Sequence, residues 1–112
     1  ETTRTVQSPV SAQVVVLTDD VCASSCLDFM DMLMALPNVL HLGEETSSDT
    51  QYIDIRHVDL PSRTGRMFLP LKVYRGRLRP SGGSYVPAIT VDPAGLDSSA
   101  VRALLSTQDA GD

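Results

Sequence analysis

Lysine is nearly missing from this chain: Lys72 stands alone, and the other eight basic residues are arginines. Fourteen Asp and Glu outweigh those nine cations, giving a net charge of −5 and a pI near 4.8. Phosphate binding needs a basic face, so a nucleic-acid-binding domain is excluded. No apolar run approaches the ~20 residues of a membrane-spanning helix, which excludes a helical span. Two cysteines, Cys22 and Cys26, are too few for a disulfide framework or a structural zinc site. Their C-x-x-x-C spacing is not the redox C-x-x-C. If both lay on one helix, their Cβ atoms would stand too far apart for a relaxed disulfide. Two small buried residues is therefore the expectation, with a small redox module as the alternative. Internal repeats and low-complexity segments are absent. No signal peptide is visible, and the chain opens at Glu1 without a Met. Either processing has removed a leader or this is part of a longer protein.

What remains is one domain's worth of sequence, 112 residues of which 42% are hydrophobic, enough to bury a core. Residues 1–11 read as a loosely held polar lead-in. Val14-Val15-Val16-Leu17 is a short apolar run without alternation, the pattern of a strand buried on both faces of a parallel sheet. A helix is predicted from about Ser24 to Leu36. Ser25-Cys26-Leu27-Asp28 has the form of a capping box, and Cys26, Phe29, Met30, Leu33 and Met34 share a face. Pro37-Asn38 ends it, and Val39–Leu42 forms a second strand closed by Gly43. The result is a β-α-β unit with parallel strands. Tyr52–Leu60 and Met67–Arg75 then read as a β-hairpin around Pro61–Arg66. Pro80–Gly83 is a loop and Val86–Val91 a further short strand. Leu96–Leu105 is a helix capped by Asp97 or Ser98, and 106–112 a frayed tail.

The turn after the first strand carries the chemistry. In α/β proteins, sites gather at the carboxyl ends of buried parallel strands. Ser24 and Ser25 open a helix there, beside free backbone N–H groups and the positive end of the helix dipole. A serine nucleophile and half an oxyanion hole can come from one such turn. The competing reading is an ordinary helix cap, which is far more common.

The stretch from Val14 to Thr50 resembles the tail-specific, or C-terminal-processing, serine peptidases, relatives of the tricorn core and of the retinoid-binding repeats of the eye. The segments that carry the resemblance are Val14-Val15-Val16-Leu17, then Cys22-Ala23-Ser24-Ser25-Cys26-Leu27, then Leu42-Gly43-Glu44-Glu45-Thr46, which register without a gap. Later likenesses are Leu60-Pro61 with Gly65, Arg79-Pro80-Ser81-Gly82, and Tyr85-Val86-Pro87, so that most of 13–105 is covered. The resemblance implies a crotonase/Clp-type β-α superhelix, of which 1–112 would be a single domain forming the C-terminal part of a larger catalytic domain. It implies peptide-bond hydrolysis without a cofactor, a peptide or protein substrate, and export or a place in the cell envelope. Ser24 takes the nucleophile's position and the Ser25 N–H that of an oxyanion donor, with Glu44 and Thr46 lining the substrate side.

One departure matters. The family's catalytic lysine falls on Asp49, and a carboxylate cannot replace a neutral amine beside Ser24. The base is then expected from outside this chain, from an upstream segment as in the tricorn-like branch, with Asp49 or Glu44 orienting it. Alternatively, the chain is a catalytically degenerate peptide-binding or assembly domain. Self-association or an upstream partner segment is expected to cover the open sheet edge.

Other residues have plainer readings. His57 is expected as a surface or half-buried strand residue, and His41 as a strand residue on a sheet face. Asp19, Asp20, Asp28 and Asp31 cluster at the helix start, where the dipole favours them. Arg75, Arg77 and Arg79 read as a solvated loop, or as a clamp for a substrate carboxylate.

Overall fold

The computed structural model describes residues 11–109. The chain is a small α/β protein built from two sheets and two helices, in the order β1 (Val14–Thr18), α1 (Ser25–Leu33), β2 (Val39–Gly43), β3 (Tyr52–Asp59), β4 (Arg66–Val73), β5 (Ile89–Thr90) and α2 (Ser98–Asp109). β1, β2 and β5 form a parallel sheet with β2 central. β3 and β4 form a separate antiparallel ribbon. The β-α-β unit and the hairpin are therefore both present, in sequence order and close to their expected bounds.

β1 is not buried on both faces. Val14–Val16 are half-buried and Leu17 is exposed, because β1 is an edge strand whose one neighbour is β2. β1 and β2 run in register from Val14 beside Val39 to Thr18 beside Gly43. At that last pair the chains close in until only glycine fits. Gly43 has φ +114°, and a Cβ built on it would meet the Thr18 carbonyl oxygen at 2.1 Å. The Glu44 N–H donates to that same oxygen at 2.9 Å, fixing the carboxyl end of β1.

The helix is shorter than its sequence pattern, ending at Leu33 rather than Leu36. Its inward face also differs. Leu27 and Met30 are fully buried with Cys22, and Val16, Cys26 and Tyr85 pack around them. Phe29, which shares a helix face with Cys26 and Met30 in the sequence pattern, is 53% exposed. Asp28 and Asp31 account for the rotation: both bond to residues of the 74–85 segment, and turning Phe29 inward would carry them away from those partners.

The ribbon contributes almost nothing to this core. All eight residues of β4 are exposed, as are Ile55, His57 and Val58 on β3. His57 lies against Phe68 with ring centroids 6.3 Å apart, and Lys72 pairs with Asp54 at the surface. At the other end of the chain, α2 is capped by Asp97, whose Oδ1 accepts the Ala100 N–H at 2.8 Å. It runs to Asp109, so residues 106–109 of the expected tail are helical. The lead-in up to residue 10 and residues 110–112 lie outside the described residues.

One buried polar group sets a pH dependence. His41, in β2, is 2% exposed. Its Nε2 lies 2.7 Å from Thr18 Oγ1, which donates its own proton to the Glu44 carbonyl, so Nε2–H is the donor to Thr18. Burial pushes the imidazole below its ordinary value of 6.5, against a smaller opposing pull from the Val86 backbone. The unfolded chain then binds the proton more readily, so stability is intact above 6.5 and falls as the pH drops below it. The loss levels off beneath the folded-state value. Urea melts between pH 8 and 5 should show this fall, and His41→Gln should flatten it. An unchanged midpoint in the parent chain would contradict the assignment.

Candidate active site

Ser24 sits at the turn that joins β1 to α1. Asp19 turns the chain first: its carboxylate accepts the Val21 N–H and its carbonyl the Cys22 N–H. Cys22 then plunges into the core, and Ser24 and Ser25 return to the surface. Ser24 is the N-cap residue by position, yet its side chain makes no capping bond. Its backbone has φ 57° and ψ −116°, outside the left-handed helical well and in a region that a residue with a Cβ occupies only under constraint. Ser24 Oγ has no hydrogen-bond partner among the described residues. The expected capping box at Ser25–Asp28 does not form, because Asp28 accepts the Tyr74 hydroxyl at 2.8 Å and faces Arg77 instead.

The Ser25 N–H is the first of the helix and has no acceptor among the described residues. Of the donors that follow, Cys26 N–H reaches the Ala23 carbonyl at 3.1 Å and Asp28 N–H the Ser24 carbonyl at 3.0 Å, while the Leu27 N–H, like that of Ser25, has no acceptor among the described residues. The free Ser25 donor therefore stands next to a free hydroxyl, at the positive end of the helix.

Cys22 and Cys26 are joined in a disulfide, with Cα atoms 5.3 Å apart. This corrects the expectation of two separate buried thiols. Only Cys26 lies within the helix, while Cys22 belongs to the turn before it, so the constraint on two helical positions one turn apart does not apply.

The other expected site residues divide. Glu44 follows Gly43 beside the end of β1, half-buried, with its backbone bonded to Thr18. Thr46 is buried and clasps Tyr85: its N–H donates to the Tyr85 carbonyl at 3.0 Å and its Oγ1 accepts the Tyr85 N–H at 2.9 Å. Asp49 is taken up elsewhere, its Oδ1 accepting from Arg79 at 2.8 Å and from Arg77 at 3.1 Å.

Those two arginines are not a solvated loop. The Arg79 side chain is 3% exposed and the Arg77 side chain 9%, while Arg75 is exposed. Arg79 spans Asp31, Asp49 and the Gly83 carbonyl. Arg77 spans Asp49, the Thr50 carbonyl and, more distantly, Asp28 and Asp31. Both guanidinium groups also lie over tyrosine rings, Arg77 on Tyr74 and Arg79 on Tyr85. Burial pushes the Asp31 carboxyl up, but hydrogen bonds from Arg79 and Tyr85 and the charges of Arg79 and Arg77 outweigh it and hold the group below its ordinary value. Tyr85 is pushed up to about 12 by burial and by its bond to Asp31. The network binds α1 to the 74–85 segment one to two helical turns beyond Ser24. Alternating arginines at 77 and 79 with aspartates at 28 and 31 were the available signal for it, each half misleading alone.

A surface depression of about 700 Å³ lies between the ribbon base and residues 75–81, and Ser24 lines neither it nor three further depressions. No group of three or more His, Cys, Asp or Glu side chains among the described residues has the geometry to hold a metal ion. No helix among them is long and apolar enough to cross a membrane. Comparison of the chain with protein-family models, curated proteins and solved structures finds no match.

Proposed function

We propose that the chain is part of a serine-type peptidase in which Ser24 is the nucleophile. The observation that carries this is the backbone of Ser24. A serine at a strand-to-helix turn, with φ 57° and ψ −116° and an uncapped, exposed hydroxyl, has the geometry of a nucleophile turn and forgoes the stabilisation of a cap. In the reaction, Ser24 Oγ attacks a peptide carbonyl carbon as a base removes its proton. The Ser25 N–H holds the developing oxyanion, the amine leaves with a proton, and water releases the acyl group.

The base comes from outside these 112 residues. Asp49 cannot serve, since its carboxylate binds two arginines, and Lys72 is spent on Asp54 in the ribbon. Glu44, beside the end of β1, is placed to orient the incoming base or to line the substrate path. A crotonase/Clp-type superhelix accommodates this arrangement, with further strands beside the open edge of β1. A disulfide fits an exported or envelope protein. A peptide-binding or assembly domain of the same fold is the second reading, and what favours it is the replacement of the family's lysine by an arginine-bound Asp49.

Hydrolysis of an unfolded polypeptide by the longest natural form of the protein separates the two. Ser24→Ala should lower kcat by at least about a thousandfold, with the thermal midpoint kept. Equal hydrolysis by both forms would remove Ser24 from the mechanism.

A further inference from the structure

The conformation of Ser24 must be held by something other than Ser24 itself, since no side-chain bond of its own supports it. Backbone in such a region persists only where the surroundings over-determine it. Here they are few. The disulfide closes a ring over residues 22–26 with Ser24 at its centre. Cys22 is 4% exposed and packed with Leu27 and Met30, and Cys26 packs against the same cluster. Both anchors of the ring are thus fixed in the core, while Ser24 and Ser25 form its outward arc. Inside the ring the one backbone bond is that from Cys26 N–H to the Ala23 carbonyl.

We propose that the Cys22–Cys26 disulfide is a positioning element for Ser24, holding the hydroxyl and the Ser25 N–H in their reactive display, so that the reactivity of Ser24 depends on the bond being intact. This rests on the reading of Ser24 as nucleophile. Reduction by a dithiol transfers two electrons and two protons, leaving two thiols here and a disulfide in the reductant. The ring opens, Ser24 relaxes to an ordinary conformation, and its hydroxyl and the Ser25 donor no longer meet a carbonyl together. The reduced protein stays folded, because Leu27, Met30 and the arginine network still hold α1. A reducing compartment would then keep the enzyme silent until export, where oxidation displays the nucleophile.

The test uses the longest natural form of the protein and a fluorophosphonate probe. The rate constant for adduct formation on Ser24 is measured for the oxidised protein, for protein reduced with dithiothreitol, and for a Cys22→Ala/Cys26→Ala double variant. All are held below their thermal midpoints, with circular dichroism confirming the fold. The rate should fall roughly tenfold or more on reduction, the factor expected from losing the constraint on one strained residue. It should return on reoxidation and stay low in the double variant regardless of dithiothreitol. Equal rates in folded oxidised and reduced protein would overturn the proposal, since a purely structural bond would move the midpoint and leave the rate. If no state forms an adduct, the reading of Ser24 has failed instead.

Discussion

Replacing Arg79 with Met should cost about 3–5 kcal/mol, the effect of removing one partner from a buried ion cluster. The side chain is 3% exposed and serves two carboxylates and a carbonyl at once. Without it, Asp31 and Asp49 retain only the longer reach of Arg77 and the Tyr85 hydroxyl, and part of their charge is left buried. Lysine cannot repair this, because a point charge cannot replace a planar fork that bonds Asp31 through Nε and Asp49 through Nη1. Arg79→Lys should therefore recover only part of the loss. Against a typical total stability of about 5–15 kcal/mol, the Met variant should melt tens of degrees lower or fail to fold. An unfolding free energy from urea melts within about 1 kcal/mol of the parent's would show that the cluster is ornamental. The same cluster adds an acid-sensitive contribution to the fold, at lower pH than that of His41. The carboxyl of Asp31 is held below its ordinary value of 3.8, so its contribution is present above 3.8 and is lost as the pH falls through the lower folded-state value.

The second large effect is expected at Gly43. Gly43→Ala places a methyl 2.1 Å from the Thr18 carbonyl oxygen, at φ +114°. Backbone strain and overpacking each cost about 1–3 kcal/mol, so a total near 3–5 kcal/mol is expected. The clash is with backbone and cannot be relieved by a rotamer change. The ends of β1 and β2 must part, breaking the Glu44 N–H bond to Thr18 and the Thr18 hydroxyl bond to Glu44. Because β1 leads directly into the Ser24 turn, any folded Gly43→Ala protein should also lose Ser24 reactivity. Thermal melts and probe labelling read the two effects separately. A variant that melts normally would mean the strands are further apart than described.

The β-α-β unit was legible because its signals are local: an unbroken apolar β-branched run, serines at a helix start, a proline after the helix, and a glycine where the second strand stops. The hairpin was legible from two extended runs around Pro61-Ser62-Arg63-Thr64-Gly65. What escaped was set by distant partners. Nothing within 25–36 says that Phe29 faces solvent, because the rotation of α1 is decided by Tyr74, Arg77, Arg79 and Tyr85, some 46 to 54 residues away. The arginines themselves read as loop charge because their acidic partners looked fully explained by the helix dipole. The disulfide escaped because the spacing argument put both cysteines on one helix, whereas Cys22 lies in the turn before α1 and is free to turn back. Ser24 was legible as a position, from its place between strand and helix. Its backbone conformation, which separates a nucleophile turn from a cap, is a tertiary property that no residue type announces.

The central claim is that Ser24 is a displayed nucleophile. Fluorophosphonate labelling of the longest natural form, with the adduct mapped by peptide mass spectrometry, tests it most directly. The expected result is a single adduct on the peptide carrying Cys22–Cys26, at Ser24, absent from Ser24→Ala, with weak or no labelling of the 112-residue chain alone. An adduct on another serine, or none on the oxidised natural form, would contradict it.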